Sequence, residues 1–491
     1  MHDNENGCPG SRRPLVKRKS VLVAFIVIIM HALGFLTSIN ALMSTRTAPG
    51  TVAWVVTLNT FPYVAVPAYW AFGRTKFQGY VSARREQDSI LAEVLTTKLY
   101  HVNSFVHNPT PPSDRLQALE RLAKMPFLLG NQLDLLIDGN ATFQSIFEGI
   151  DAAEDYLLVQ FYIVRADTLG QELKSRLIHK AHQGVRVFFL YDAIGSYRLP
   201  RSFINEMSAA GIHVRRFNSS QGLILPFQIN FRNHRKIVVA DGKYGWVGGF
   251  NVGDEYLGMD ARFGDWRDTH LRISGPAVLG LQISFLEDWF WTTGEIPDLE
   301  WKPTAAQVAN APVLIFPSGP ADRLETASLF MQYLIHTAKR RIWISSPYFV
   351  PDEGVMGALK LAALRGVDVR IVIPESPDHL LVYFATYAFL GSILDADIQI
   401  YRFQAGFLHG KAFVVDENLA GVGTINLDNR SFRLNFEVTA VVEDNDFTSK
   451  VEQMFERDFL RSRKMTAADI HTQPFWFRVV SRAAYLTAPL L

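Results

Sequence analysis

The 491-residue chain has a single cysteine, Cys8, in its N-terminal tail. That excludes an intrachain disulfide framework and a cysteine-ligated metal site. Net charge is almost absent as well, at +1 from 49 Lys and Arg against 48 Asp and Glu. The chain therefore lacks the global basic field that nucleic-acid binders carry, and no nucleic-acid partner is expected. Charge is missing locally in two stretches: Val21–Met43 and Thr51–Phe72 contain no Asp, Glu, Lys or Arg. Each is long enough to cross a hydrocarbon core. A secretory signal has a shorter apolar region and is not followed at once by a second one. Pro62 and Pro67 are tolerated in a membrane helix and costly in a soluble one. A transmembrane hairpin is expected over residues 20–73, with a buried soluble hairpin as the alternative. Arg12, Arg13, Lys17, Arg18 and Lys19 precede the first span, and Arg74, Lys76, Arg84 and Arg85 follow the second. The loop between holds only Arg46. The positive-inside rule then places both ends, and everything C-terminal, in the cytoplasm.

What the chain does have is one uncommon constellation, twice. His234-x-Lys236-x4-Asp241 is followed by Gly248-Gly249-x-Asn251, and His409-x-Lys411-x4-Asp416 by Gly423-Thr424-x-Asn426. One copy would be a weak motif hit; two copies with the same tail are not accidental. His234–Ala240 reads as a strand ending at the Asp241-Gly242 turn and returning through Tyr244–Gly248. Side chains at i and i+2 share a face, so His234 and Lys236 point the same way, and the return strand brings Asn251 close. His409, Lys411 and Asn426 repeat this. Two halves offer a nucleophile, a general acid, and cationic and amide donors for a phosphate's oxygens.

An imidazole that attacks phosphorus needs an acceptor at Nδ1 to fix its tautomer. The next strand after each copy supplies a candidate: Asp268 in Trp-Arg-Asp-Thr-His, and Glu437 in Asn-Phe-Glu-Val-Thr. A strand-end ion pair is the alternative for both. Asp241 and Asp416 lie seven positions from their histidines, an odd offset that faces the other side of the strand, where they fix the turn or pair structurally.

The organisation follows from these marks. A basic tail (1–19) and the hairpin (spans about 21–43 and 51–72) lead into a charged connector (74–130), helical over much of 80–124 and broken at Asn108–Pro112. A lobe over 131–310 has a βαβ pattern, with strand 156–164, helix 169–183 and strand 185–191. A second lobe over 311–491 repeats it with strands 313–316 and 341–346, helix 354–364 and strand 367–374. His-Gln-Gly-Val-Arg-Val (182–187) and Leu-Arg-Gly-Val-Asp-Val (364–369) mark equivalent points of an internal duplication. Phe475–Leu486, aromatic with interspersed arginines, reads either as an amphipathic helix at a membrane surface or as a lobe-packing helix. The loop 218–231, longer than its counterpart in the second lobe, reads either as a packed anchor or as a lipid guide at the site's mouth.

The doubled motif resembles the phospholipase D superfamily. Within it, Gly249–Tyr256, Trp266–His270, Ser346–Pro351, Gly423–Phe432 and Leu434–Glu437, with the N-terminal hairpin and the Pro-Leu-Leu terminus, are similar to bacterial cardiolipin synthases. The resemblance implies an α/β fold of two similar lobes, a duplicated mixed sheet flanked by helices, behind a transmembrane hairpin in the bacterial inner membrane. It implies joining of two phosphatidylglycerols into cardiolipin and glycerol through a phosphatidyl-histidine, with no cofactor or metal. His234 is then nucleophile and His409 acid/base, the swap staying open. Lys236, Lys411, Asn251 and Asn426 contact phosphate, with Thr424 and Gly249 beside them. Asp241 and Asp416 count in the catalytic signature, and Asp268 and Glu437 orient the histidines. Water as acceptor would give a phospholipase D, serine a phosphatidylserine synthase, and phosphatidylethanolamine as donor a variant cardiolipin synthase. A nuclease is disfavoured by the hairpin and the charge, and a scaffold with a dead site by the two intact triplets.

Overall fold

The computed structural model describes residues 14–44, 47–73, 99–217 and 230–491. They divide into an N-terminal helical unit and a larger α/β unit. The loop 218–229 and the connector 74–98 lie outside the described residues.

In the N-terminal unit one helix runs Pro14–Ser44, and its Val21–Ser44 portion is long and apolar enough to cross a membrane. The second expected span is not one helix. It breaks into Ala48–Thr60 and Pro62–Ala68, followed by a π turn, Tyr69–Gly73. Pro62 has no N–H to continue the ladder, so the chain re-starts there with proline in a first-turn position. Among the described residues, one helix alone has spanning length. The two segments pack tightly: a Cβ at Gly34 would lie 2.2 Å from the Leu58 carbonyl oxygen. Polar side chains join them, Asn59 Nδ2 donating to Ser38 Oγ (2.7 Å) and Tyr69 Oη to Asn40 Oδ1 (2.9 Å). Close small-residue contact plus interhelical hydrogen bonds is how helices associate where lipid supplies no hydrophobic drive. Phe25, Leu36, Val52 and Val64 face outward, each more than half exposed. Such an outward surface suits a lipid environment, so this unit associates with membrane.

The α/β unit is built on one mixed sheet. The first lobe supplies β1 (Leu128–Ile137), β2 (Tyr156–Phe161), β3 (Arg186–Asp192), β4 (His213–Phe217), β5 (Arg232–Asn233), β6 (Ile237–Ala240), β7 (Tyr244–Gly248), β8 (Trp266–Arg267) and β9 (Thr269–Ser274). The second supplies β10 (Ala311–Ser318), β11 (Arg341–Ser345), β12 (Phe349–Val350), β13 (Asp368–Pro374), β14 (Gln399–Phe403), β15 (Phe407–Leu408), β16 (Ala412–Val415), β17 (Leu419–Gly423), β18 (Leu427–Asp428), β19 (Asn435–Glu443) and β20 (Ser462–Lys464). Of these, β8 with β15 and β12 with β18 form separate two-stranded ribbons beside the main sheet. From the seam outward one lobe reads β1-β9-β7-β6-β2-β3-β4 and the other β10-β19-β17-β16-β11-β13-β14, element for element. The apolar strands of each lobe are buried on both faces, as parallel strands flanked by helices must be. The expected helices run Thr168–His182 and Glu353–Leu364.

The lobes are joined through β1, which pairs with β9 over Gln132–Ile137 and with β10 at Leu128 and Asn131. The change of partner occurs at Gly130, whose positive φ (82°) bends the strand. Asn131 fixes the bend by donating to the carbonyls of Leu128 and Ala311 and accepting from the Ala277 amide. One hydrophobic core, including Leu158, Val239, Val414, Ala440 and Met454, runs beneath strands of both lobes. The C-terminal helix Phe475–Tyr485 packs on helix Leu380–Leu394 through Phe477 and Ala484, leaving Phe475, Trp476 and Val479 exposed.

Candidate active site

Each lobe hands its histidine to the other. Just before His234, β5 pairs in parallel with β19 (Arg232↔Asn435, Asn233↔Phe436), and the His234 amide donates to the Phe436 carbonyl at 2.9 Å. Just before His409, β15 pairs with β8 (Phe407↔Trp266, Leu408↔Arg267), and the His409 amide donates to the Arg267 carbonyl at 2.7 Å. The next residue on each partner strand is a carboxylate. His234 Nδ1 therefore meets Glu437 Oε2 at 2.9 Å, and His409 Nδ1 meets Asp268 Oδ2 at 2.7 Å. The strand after each copy does carry an acceptor, but for the opposite copy's imidazole. Spacing along the chain could not show this, because it depends on strand pairing between residues about 200 apart in one case and about 140 in the other.

Both carboxylates are fully buried, and both imidazoles nearly so. Burial brings each histidine down to about 4; Lys236 pulls His234 the same way and Lys411 does so for His409, while Glu437 and Asp268 resist. Burial alone would raise the carboxyls, yet His234 and Lys236 hold Glu437 below its usual range, and Lys411 and His409 do so for Asp268. Burial lowers Lys411 to about 8 and depresses Lys236 strongly. Lys411 bears electrostatically on His234 and Lys236, so the two half-sites form one cluster. Lys236 Nζ donates to its own histidine's carbonyl at 2.6 Å, and Lys411 Nζ lies 2.7 Å from His409 Nδ1.

Asn251 Oδ1 accepts from the Ile163 amide, and its Nδ2 donates to Tyr256 Oη. Asn426 is anchored through its backbone amide on Ser431 Oγ, and its buried Oδ1 has no hydrogen-bond partner among the described residues. Thr424 is completely buried, and its hydroxyl accepts from the Val438 amide (2.9 Å) and supports Glu437. Gly249 stands at the equivalent point, where a Cβ would lie 2.0 Å from Asp268 Oδ1. These two positions thus adjoin the buried carboxylates. The Gly/Thr difference has the same origin: the Asp268 carboxyl occupies the volume that a threonine side chain fills beside Glu437.

Asp241 and Asp416 stand apart from this chemistry. Asp241 accepts the backbone amides of Glu154, Asp155 and Tyr156, all at 2.9 Å. Asp416 accepts those of Lys339, Arg340 and Arg341. Both adopt positive φ (54° and 53°) at the hairpin turn. They tie the His-Lys hairpin to the start of β2 or β11. Tyr162, which the sequence pattern did not single out, lies 5.1 Å from His234 (ring centroids), and Lys236 sits over its ring. Its position directly after a buried strand was the available signal. Trp266, on β8, lies 5.1 Å from the His409 ring.

Three comparisons with known proteins bear on this arrangement. A domain described as "Cardiolipin synthase, PLD-like domain" matches residues 146–261 and 331–459, one segment in each lobe. Cardiolipin synthase A of Pseudomonas aeruginosa (strain LESB58) is 43% identical over 482 residues, 98% of either chain. The chain belongs to the cardiolipin synthase family of phospholipase D-like enzymes. Cardiolipin synthase A of Pseudomonas putida (strain KT2440) is also 43% identical, over 95% of this chain and 98% of that one. Among solved structures, the phosphatidylserine synthase of Haemophilus influenzae Rd KW20 superposes with a TM-score of 0.61 at 14% identity, over 77% of this chain and all of that one. That likeness shows the shared two-lobed fold. As a member of this family the chain is a phosphatidyltransferase.

Proposed function

We propose that the enzyme transfers a phosphatidyl group from one phosphatidylglycerol to another, giving cardiolipin and glycerol through a covalent phosphohistidine. The observation that carries this is the crossed pair of buried carboxylate–imidazole units converging with two buried lysines. His234, kept neutral by burial and held in one tautomer by Glu437, presents Nε2 to phosphorus. His409, paired to Asp268, gives a proton to the departing glycerol oxygen. Charge brought in by the phosphodiester favours the imidazolium that this step needs. In the second half the P–N bond breaks as the acceptor's primary hydroxyl forms the new P–O bond, its proton passing to His409. Lys236 and Lys411 neutralise the developing charge, work that a metal ion performs in other phosphodiesterases.

The decisive experiment is separation of the lipid products formed from labelled phosphatidylglycerol by the purified enzyme. Cardiolipin with stoichiometric glycerol is expected; phosphatidic acid alone would make the enzyme a hydrolase. EDTA should leave turnover unchanged, and loss restored by one divalent ion would refute the metal-free route. We further propose that the N-terminal unit passes the membrane twice, with the catalytic unit in the cytoplasm. An impermeant thiol reagent applied to intact cells (Cys8 replaced) should label a cysteine in 44–50 and spare one at Gln78. The reverse pattern would invert the topology.

A further inference from the structure

Two nearly symmetric half-sites must still tell nucleophile from acid, and the surroundings of the two histidines differ in one respect that bears on this. In the second lobe an open cleft is bounded by Pro347–Phe349 after β11, by the loop Ser376–His379 after β13, and by the first turns of helix Leu380–Leu394. On its wall Tyr348 Oη donates to Asp378 Oδ2 at 2.5 Å. Burial and the adjacent Asp378 charge hold the phenol well above its ordinary range, so it remains a donor. A carboxylate has about four lone-pair sites, and Tyr348 takes one. Asp378 is close enough for its charge to act on both His409 and Lys411.

Among the described residues the first lobe has no such feature. By strand register, Ile163 replaces Tyr348 and Ser196 replaces Asp378. Ser196 Oγ donates to the Tyr162 carbonyl and accepts from the Val164 amide, both at 3.0 Å, which closes that turn on itself.

We propose that the Tyr348–Asp378 cleft is a subsite for the glycerol headgroup, accepting its hydroxyls beside His409. The proposal rests on the phosphatidylglycerol reading above and deepens it. A glycerol headgroup offers a second hydroxyl next to the one that reacts, and a carboxylate–phenol pair is the group that can hold it. Water and monohydric alcohols offer none. Leaving glycerol and incoming acceptor glycerol use this place in turn: the P–O bond to the first breaks as His409 supplies its proton, and the P–O bond to the second forms as His409 takes one. The subsite therefore assigns His409 as the acid/base and leaves His234 as the nucleophile. An ammonium headgroup would also be drawn to Asp378, and Arg402, which lines the same cleft, is itself paired with Glu375, so the test includes ethanolamine.

The test uses the full-length enzyme in detergent–lipid micelles and measures transfer from labelled phosphatidylglycerol to added glycerol, 1-propanol and ethanolamine. Tyr348→Phe and Asp378→Asn should each lower the glycerol-to-propanol ratio at least about tenfold, the loss of one hydrogen bond to a charged group, with cardiolipin output falling in parallel. An unchanged ratio in folded variants, or an Asp378-dependent preference for ethanolamine, would overturn the subsite. Tyr348→Phe keeps the ring, so it serves where Asp378→Asn does not fold. Wild-type enzyme that makes neither cardiolipin nor glycerol-exchange product would instead overturn the underlying phosphatidylglycerol reading.

Discussion

A phosphatidyl donor with p-nitrophenol in place of glycerol separates the two crossed carboxylates. Such a leaving group departs without a proton, so formation of the phosphohistidine needs the nucleophile alone. Glu437→Gln removes the charge from an acceptor that is fully buried and 2.9 Å from His234 Nδ1. A hydrogen bond to a charged group contributes about 1.5–3 kcal/mol, which corresponds to about 10- to 150-fold in rate. The burst of nitrophenolate in rapid mixing should slow by that factor, although Glu437 belongs to the opposite lobe from His234. Asp268→Asn, 2.7 Å from His409, should leave the burst intact and slow the subsequent transfer to phosphatidylglycerol. With the natural donor both substitutions should slow the first step, because glycerol must be protonated. A burst slowed by Asp268→Asn and untouched by Glu437→Gln would refute His234 as the nucleophile.

Gly249→Ala places a methyl group against the Asp268 carboxyl, 2.0 Å from Oδ1. It should cost more than about 100-fold in kcat at small cost in thermal stability, and near-normal turnover would show that Asp268 can move without harm. Asp241→Asn and Asp416→Asn keep a side chain that tolerates positive φ but weaken three charge-assisted amide contacts each. Thermal unfolding should show a loss of about 1–3 kcal/mol, with kcat of the folded fraction within a few-fold of wild type. Each histidine, near 6.5 when unfolded and about 4 when folded, takes up protons on unfolding between those values. Its stabilising contribution is complete above pH 6.5 and falls as pH drops toward 4. His234→Gln with His409→Gln should flatten stability against pH in that window, and an unchanged slope would refute the burial argument.

The site was legible in the sequence because duplication shows along the chain. Two His-x-Lys strands, their turns and their Gly-x-x-Asn tails are local patterns, and period-2 geometry is enough to put His and Lys on one face. The odd offset of Asp241 and Asp416 likewise set them on the far side, since a strand alternates faces whatever it packs against. The βαβ elements and the apolar helix at Val21–Ser44 follow from periodicity and run length in the same way. What local pattern could not give is partnership. Glu437 serves His234 and Asp268 serves His409 because β5 pairs with β19 and β8 with β15 across the lobes. The same holds for the Gly249/Thr424 difference, which reflects whose carboxyl fills the space, and for the break at Phe61–Pro62, where hydropathy reads through but the backbone does not. Residue order settles which side chains are present and which way each strand presents them. Which carboxylate reaches which imidazole is settled by hydrogen bonds between strands about 140 and 200 residues apart, and those exist only in the folded chain.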